Sequence, residues 1–238
     1  MCDRLFTGRT YQWRSAGQYD PECTSIEMKK TRILILGGGF GGIYAALEIE
    51  RRCDPQFDVT LISQDNFFLF TPMLHEVACS DLDVTHIVKP IQPMLRHVGF
   101  FEGQILSVDT GAQKVTVRHG FEQHSHMLEY DHVVFALGGV TNSYGIPNLA
   151  EIAMTMKSLG DAIALRNRLI ARLEEADTEC AAVDRESLLT FVVAGGGFAG
   201  VETFGSSQSS VAKTWFPFDL IHLVCWLPAA AGRGLREC

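Results

Sequence analysis

No CxxC pair occurs among the seven cysteines, which stand at positions 2, 23, 53, 79, 180, 225 and 238. An odd, scattered set excludes a small disulfide framework and matches no zinc spacing, so reduced thiols are expected. Long hydrophobic runs are also missing. The most apolar late stretch, 216–231, is broken by Pro217, Asp219, His222 and Pro228, whereas a membrane-spanning helix needs about 20 nearly continuous apolar residues. The opening Met1-Cys2-Asp3-Arg4-Leu5-Phe6-Thr7 has no apolar core of signal-peptide length. Basic charge is in deficit, 20 Lys+Arg against 28 Asp+Glu for a net charge of −8, which counts against a nucleic-acid partner. With 47% hydrophobic and 20% charged residues, 22 glycines and 8 prolines in 238 residues, the chain is neither disordered nor low-complexity. What remains is a globular chain of one to two domains, expected in the cytoplasm or at the inner face of the cytoplasmic membrane.

An internal repeat organises the chain. Ile33-Leu34-Ile35-Leu36-Gly37-Gly38-Gly39-Phe40-Gly41-Gly42 returns as Phe191-Val192-Val193-Ala194-Gly195-Gly196-Gly197-Phe198-Ala199-Gly200. Each copy is a short aliphatic run, a glycine turn and the start of a helical pattern, as suits a parallel strand covered on both faces. Ile43, Ala46, Leu47 and Ile49 follow at helical spacing, Asp54-Pro55 ends the helix, and Val59-Thr60-Leu61-Ile62 reads as a second strand. This is a βαβ unit. Three short strands are predicted at 104–108, 114–118 and 127–130, inserted before the apolar run His132–Leu137. Ser158 with Asp161 predicts a helix cap ahead of Ile163, Leu165, Leu169, Ile170 and Leu173.

The spacing GxGxxG is met by Gly37, Gly39 and Gly42 and again by Gly195, Gly197 and Gly200. The chemistry needs glycine for a tight turn, for close approach of a pyrophosphate and for helix–strand contact, while free amides and the helix dipole hold the anion. One copy is a weak signal; two in matching contexts predict two dinucleotide sites. A ribose-binding acid is expected at the end of the second strand, but Ser63 stands there and Asp65 is the nearest carboxylate. The residues leave Asp65 open between a ribose ligand and a solvated loop acid, and Glu202 open between a functional carboxylate and an exposed glutamate at a helix start. No metal is expected at His119, His124 and His126, read as a hairpin loop without a carboxylate frame.

At this point a family resemblance appears. Gly37–Gly42, the segment Asp65-Asn66-Phe67-Phe68-Leu69-Phe70-Thr71-Pro72-Met73-Leu74-His75-Glu76-Val77-Ala78, the run Tyr130–Gly138 and Gly195–Glu202 together resemble the type II NADH dehydrogenases. These are single-chain NADH:quinone oxidoreductases of the FAD/NAD-linked disulfide reductase superfamily. The resemblance spans roughly residues 30–204. It implies that Gly37, Gly39, Phe40, Gly41 and Gly42 bind FAD, with Asp65 kept as the candidate ribose acid, that Thr71, Pro72 and Met73 lie beside the isoalloxazine, and that Ile105 meets the adenine through its backbone. Ala136, Leu137 and Gly138 would close over the FAD, and Gly195, Gly197 and Gly200 would bind NADH. Glu202 would sit near the nicotinamide as a proton-relaying carboxylate. The superfamily's redox cysteine pair is not matched, since neither Cys53 nor Cys79 has a cysteine neighbour, so electrons would leave directly for a quinone.

The fold class expected is α/β: a Rossmann-like FAD-binding domain with an inserted β-meander, and the start of a second, NAD-binding one. The boundaries expected are an unstructured leader at 1–29, the FAD domain at 30–150, a connecting helix region at 151–187, the NADH-domain start at 188–205 and an atypical tail at 206–238. Ser206-Ser207-Gln208-Ser209-Ser210 after Gly205 is expected to interrupt the second helix and leave the strand before it unpaired. The 43 residues after Gly195 fall short of a full nucleotide-binding domain. The reading is therefore a truncated member, in which the family's peripheral membrane-docking region is absent. Its alternatives are a non-catalytic nucleotide-binding remnant and a FAD/NAD(P)H reductase with a soluble acceptor.

Overall fold

A computed structural model describes residues 30–52, 54–120, 122–214 and 222–226. The expected leader and Cys53 lie outside them. The described residues divide into two compact units, one of those up to 68 together with 90–138, the other of 69–89 together with those from 139 onward.

The first unit is built on β1 (Thr31–Leu36), α1 (Phe40–Arg52) and β2 (Phe57–Ser63). Short β3 (Phe67–Leu69) and β4 (Val88–Pro90) pair as a ribbon, with α2 (Leu74–Ala78) between them in sequence. β5 (Gly99–Glu102) is followed by β6 (Gln104–Asp109), β7 (Lys114–His119), β8 (His124–Glu129) and β9 (His132–Phe135). The main sheet has the order β5-β2-β1-β9 and is parallel throughout. Ile35 and Leu61 face a core with Ile43 and Ala46 of α1, while Leu36 and Ile62 face a second core built with Val115 and Val117 of β7. Both sheet faces are thus covered, which is why β1 reads as an unbroken aliphatic run rather than an alternating one. The antiparallel β6-β7-β8 sheet is the expected meander, and its third strand begins at His124 rather than at 127.

The second unit holds α2, α3 (Leu149–Ile152), α4 (Leu159–Thr178), α5 (Ala182–Leu188), β10 (Thr190–Ala194), α6 (Phe198–Thr214) and β11 (His222–Trp226). Ser158 and Asp161 form the full capping box of α4. Two expectations for the tail fail. α6 runs through the serine-rich stretch as one helix of 17 residues, and β10 pairs in parallel with β11. Tertiary packing outranks propensity here: Ser207 is buried on α6, within 3.4 Å of the equally buried Cys79 sulfur. Strand, helix and parallel strand make a second βαβ unit. Among the described residues no helix is long and apolar enough to cross a membrane.

Candidate functional site

In the first unit the strand order reverses at β1, with β2 on one side and β9 on the other. Ligands of open parallel sheets bind beyond the carboxyl ends of the strands at such a switch point. Gly37 follows β1 there, with φ +108°, and a Cβ on it would lie 2.2 Å from the carbonyl oxygen of Ala136, the residue after β9. A Cβ on Gly42 would lie 1.8 Å from the Gly37 carbonyl oxygen, and one on Gly38 2.6 Å from Ser63 Oγ. Gly37 and Gly42 are required by the protein's own backbone, and Gly38 by the side chains of Ser63 and Ile91. Gly39 is different: a Cβ there meets nothing within 4 Å and its φ is not positive. The fold alone gives no reason for glycine at 39, but a ligand lying against the α1 N-terminus does.

The second motif repeats this geometry. Gly195, at φ +132°, ends β10, and a Cβ on Gly200 would stand 2.0 Å from its carbonyl oxygen. Around Gly197, the counterpart of Gly39, there is again open space. The tight turn, the helix–strand contact and the uncovered middle glycine recur six residues at a time.

Gly37, Gly41, Ala136 and Leu137 come together at the switch point, and a Cβ on Gly41 would touch that of Ala136 at 3.5 Å. Phe40 opens α1 and sets its ring edge-on to Phe68, with centroids 5.0 Å apart. Leu137 and Gly138 are exposed beyond β9. Ser63 is buried beneath Gly38, so it fills the turn instead of facing a ribose. Asp65 is exposed in the loop beyond β2. Beside it, at the carboxyl ends of β2 and β5, a cavity of about 470 Å³ is lined by Gln64, Glu102, Gly103, Gln104, Arg118 and His119 among others. Glu102 is the carboxylate on this cavity and was missed in the sequence, although Gly99-Phe100-Phe101-Glu102-Gly103 carries a short apolar run ending in an acid. The Ile105 side chain turns into the core and its backbone pairs with Val117, one residue from the cavity wall.

Thr71, Pro72 and Met73 form a single 3₁₀ turn ahead of α2 in the second unit, with Met73 packed on the core of Leu74 and Val77. Glu202 is the fifth residue of α6 and therefore past the first turn, where the dipole would favour an acid. His75 Nδ1 lies 3.7 Å from its Oε2. Burial pushes the Cys79 thiol up, with the Ser207 hydroxyl pulling weakly the other way, so Cys79 is poorly suited to thiolate chemistry. The three histidines sit on strands and not in a loop, a correction to the sequence reading. His119 ends β7, His124 and His126 belong to β8, and the Nε2 atoms of His119 and His126 are 2.8 Å apart. Among the described residues no group of three or more ligating side chains could hold a metal ion.

The sequence profile of the pyridine nucleotide-disulphide oxidoreductases matches residues 31–214. The chain is 32% identical over 209 residues to the external NADH-ubiquinone oxidoreductase 2 of Saccharomyces cerevisiae mitochondria, covering 83% of this chain and 38% of that protein. It is 33% identical over 187 residues to the type II NADH:quinone oxidoreductase Ndh of Mycobacterium tuberculosis, covering 77% of this chain and 39% of the relative. The structure of NDH2 from Plasmodium falciparum in complex with NADH superposes with a TM-score of 0.70 at 28% identity, over 77% of this chain and 38% of that one. This chain thus spans about two fifths of the length of these relatives.

Proposed function

The chain belongs to the pyridine nucleotide-disulphide oxidoreductase family, and from that premise we propose that it is the nucleotide-binding part of an NADH:quinone oxidoreductase. FAD would be held by the first glycine motif and NADH by the second. The observation that carries this reading is the pair of uncovered middle glycines, Gly39 and Gly197, each at a helix N-terminus and each with open space within 4 Å of where a Cβ would stand. Two relatives named for NADH and a quinone substrate support it.

The residues present fit the cofactor. Free amides at the start of α1 would hold the FAD pyrophosphate, and any side chain on Gly39 would stand in its place. Ala136, Leu137 and Gly138 would border the same crevice, and Asp65 and Glu102 are the carboxylates available to a ribose beyond β2. Thr71, Pro72 and Met73 as flavin neighbours, and the Ile105 backbone against the adenine, rest on the family resemblance. When bound, FAD accepts hydride from NADH and releases electrons singly or in pairs, chemistry that no side chain provides. The protein's own task is to orient the two nucleotides and exclude water, and to have Glu202 exchange a proton near the nicotinamide.

The test is flavin content after purification in the presence of FAD. Because Gly39 has open space and an unstrained backbone, Gly39→Val should leave the thermal unfolding of the protein nearly unchanged and abolish the flavin absorbance. Gly37→Ala is the contrasting control: with φ +108° and a carbonyl at 2.2 Å, it should lower stability as well. Equal flavin in wild type and Gly39→Val would overturn the assignment.

A further inference from the structure

Within the second unit α2 packs against α6, and the contact sets one imidazole between two carboxylates. His75 Nδ1 lies 3.7 Å from Glu202 Oε2, and its Nε2 lies 3.9 Å from Glu76 Oε1. The ring is enclosed, with 14% of the side chain exposed, while Glu76 and Glu202 are 35% and 46% exposed. α4, which also packs against α2, contributes the apolar Ala162, Leu159 and Leu165 to the common core. Among the described residues no further acid pairs with the ring. An imidazole can take a proton at one nitrogen and give one up at the other.

The proposed reaction needs such a path. NADH, quinone and one proton yield NAD⁺ and quinol: the hydride supplies both electrons and one hydrogen nucleus, so the second proton must come from water. We infer that His75 is a positioning residue for Glu202 and, with Glu76 behind it, the route by which that proton reaches Glu202. The inference rests on the reading above only for the placement of Glu202 beside the nicotinamide. Glu76, exposed to water, passes a proton to Nε2. The imidazolium then loses its Nδ1 proton to the Glu202 carboxylate, and the neutral ring resets by exchange with water. Both gaps exceed a hydrogen bond by a few tenths of an ångström, so each transfer needs a small rotamer shift or one bridging water.

Two measurements on the full chain test this. The first is the ¹⁵N resonance of each His75 ring nitrogen in wild type, Glu202→Gln and Glu76→Gln, both substitutions at partly exposed positions. A carboxylate that exchanges a proton with a ring nitrogen fixes the hydrogen bonding at that nitrogen, so Glu202→Gln should move the Nδ1 resonance and Glu76→Gln the Nε2 resonance; unchanged resonances in both overturn the proposal. The second, with FAD added, is the ratio of quinone reduction to anaerobic bleaching of flavin absorbance by NADH, followed against pH in wild type and His75→Asn. Bleaching needs no proton from water, so the ratio should fall at least tenfold in His75→Asn above pH 8 and less at pH 6. A ratio equal to wild type across the range, with both rates reduced alike, makes His75 merely structural and overturns the proposal. If NADH bleaches no flavin in wild type, the functional reading fails instead, and unchanged ring resonances by themselves still overturn the link of His75 to the two acids.

Discussion

Glu50 shows how one side chain can tie a loop to a helix. It lies near the end of α1, and its Oε1 accepts the backbone N–H groups of Arg96 at 2.5 Å and Val98 at 3.2 Å, and that of His97 between them. Burial raises the affinity of this carboxyl for a proton, but the three amides together outweigh it and hold its pKa below the ordinary glutamate range. A depressed folded-state pKa stabilises the native state above the unfolded pKa, about 4.3, and the contribution is lost as pH falls through the lower folded value. Glu50→Gln should therefore cost about 1 kcal/mol at neutral pH, a figure kept small because the group is mostly solvated. The difference from wild type should shrink below pH 4. Urea unfolding at pH 7 and pH 3.5 measures it, and a deficit that persists undiminished at pH 3.5 would contradict the capping role. Nothing in the sequence marks Glu50 for this task, since its partners lie 46 to 48 residues away.

At the scale of elements, legibility followed how local the determining contacts are. The box that starts α4 was readable because Ser158 and Asp161 answer each other within one turn. Ser158 Oγ accepts the Asp161 N–H at 3.1 Å, and Asp161 Oδ2 accepts the N–H groups of Ser158 and Lys157 and the Thr155 hydroxyl. Asp161→Ala should destabilise the protein by about 1–2 kcal/mol, read as a drop in the denaturation midpoint, and Asp161→Asn should recover part of it. A loss confined to a few tenths would mean that α4 is held by packing of Leu169 and Leu173 alone. β1, α1, β2 and β9 were likewise visible, each carrying its own period or glycine turn. β5 and β11 were not. β5 is four residues long and is defined by pairing with β2, and β11 by pairing with β10 across the length of α6. The serine run of α6 misled for the same reason: propensity is local, whereas burial of Ser207 beside Cys79 is not.

In the whole molecule the two glycine motifs are alike in geometry but not in support. Behind the first, Ile35, Leu36, Leu61 and Ile62 have no exposed surface, whereas on β10 behind the second Val192 is 62% exposed. Buried strands open only with the global free energy and exposed ones open locally, so without ligand the amides of 34–36 and 61–62 should exchange with deuterium far more slowly than those of 192–194. The same experiment separates the two proposed ligands. A nucleotide bound only to the folded site adds RT ln(1 + [L]/Kd), about 2.7 kcal/mol at a hundredfold excess over Kd, to the stability of what it holds closed. FAD should slow exchange at 37–42 by up to about a hundredfold and leave 195–200 alone, and NADH should then slow 195–200. The sequence could name both turns but could not rank them, because the ranking depends on which strand is covered on both faces. Protection of 195–200 by FAD, or of 37–42 by NADH alone, would reverse the assignment of the two sites. The glycine geometry would remain intact, but the direction of hydride travel through the chain would have to be redrawn.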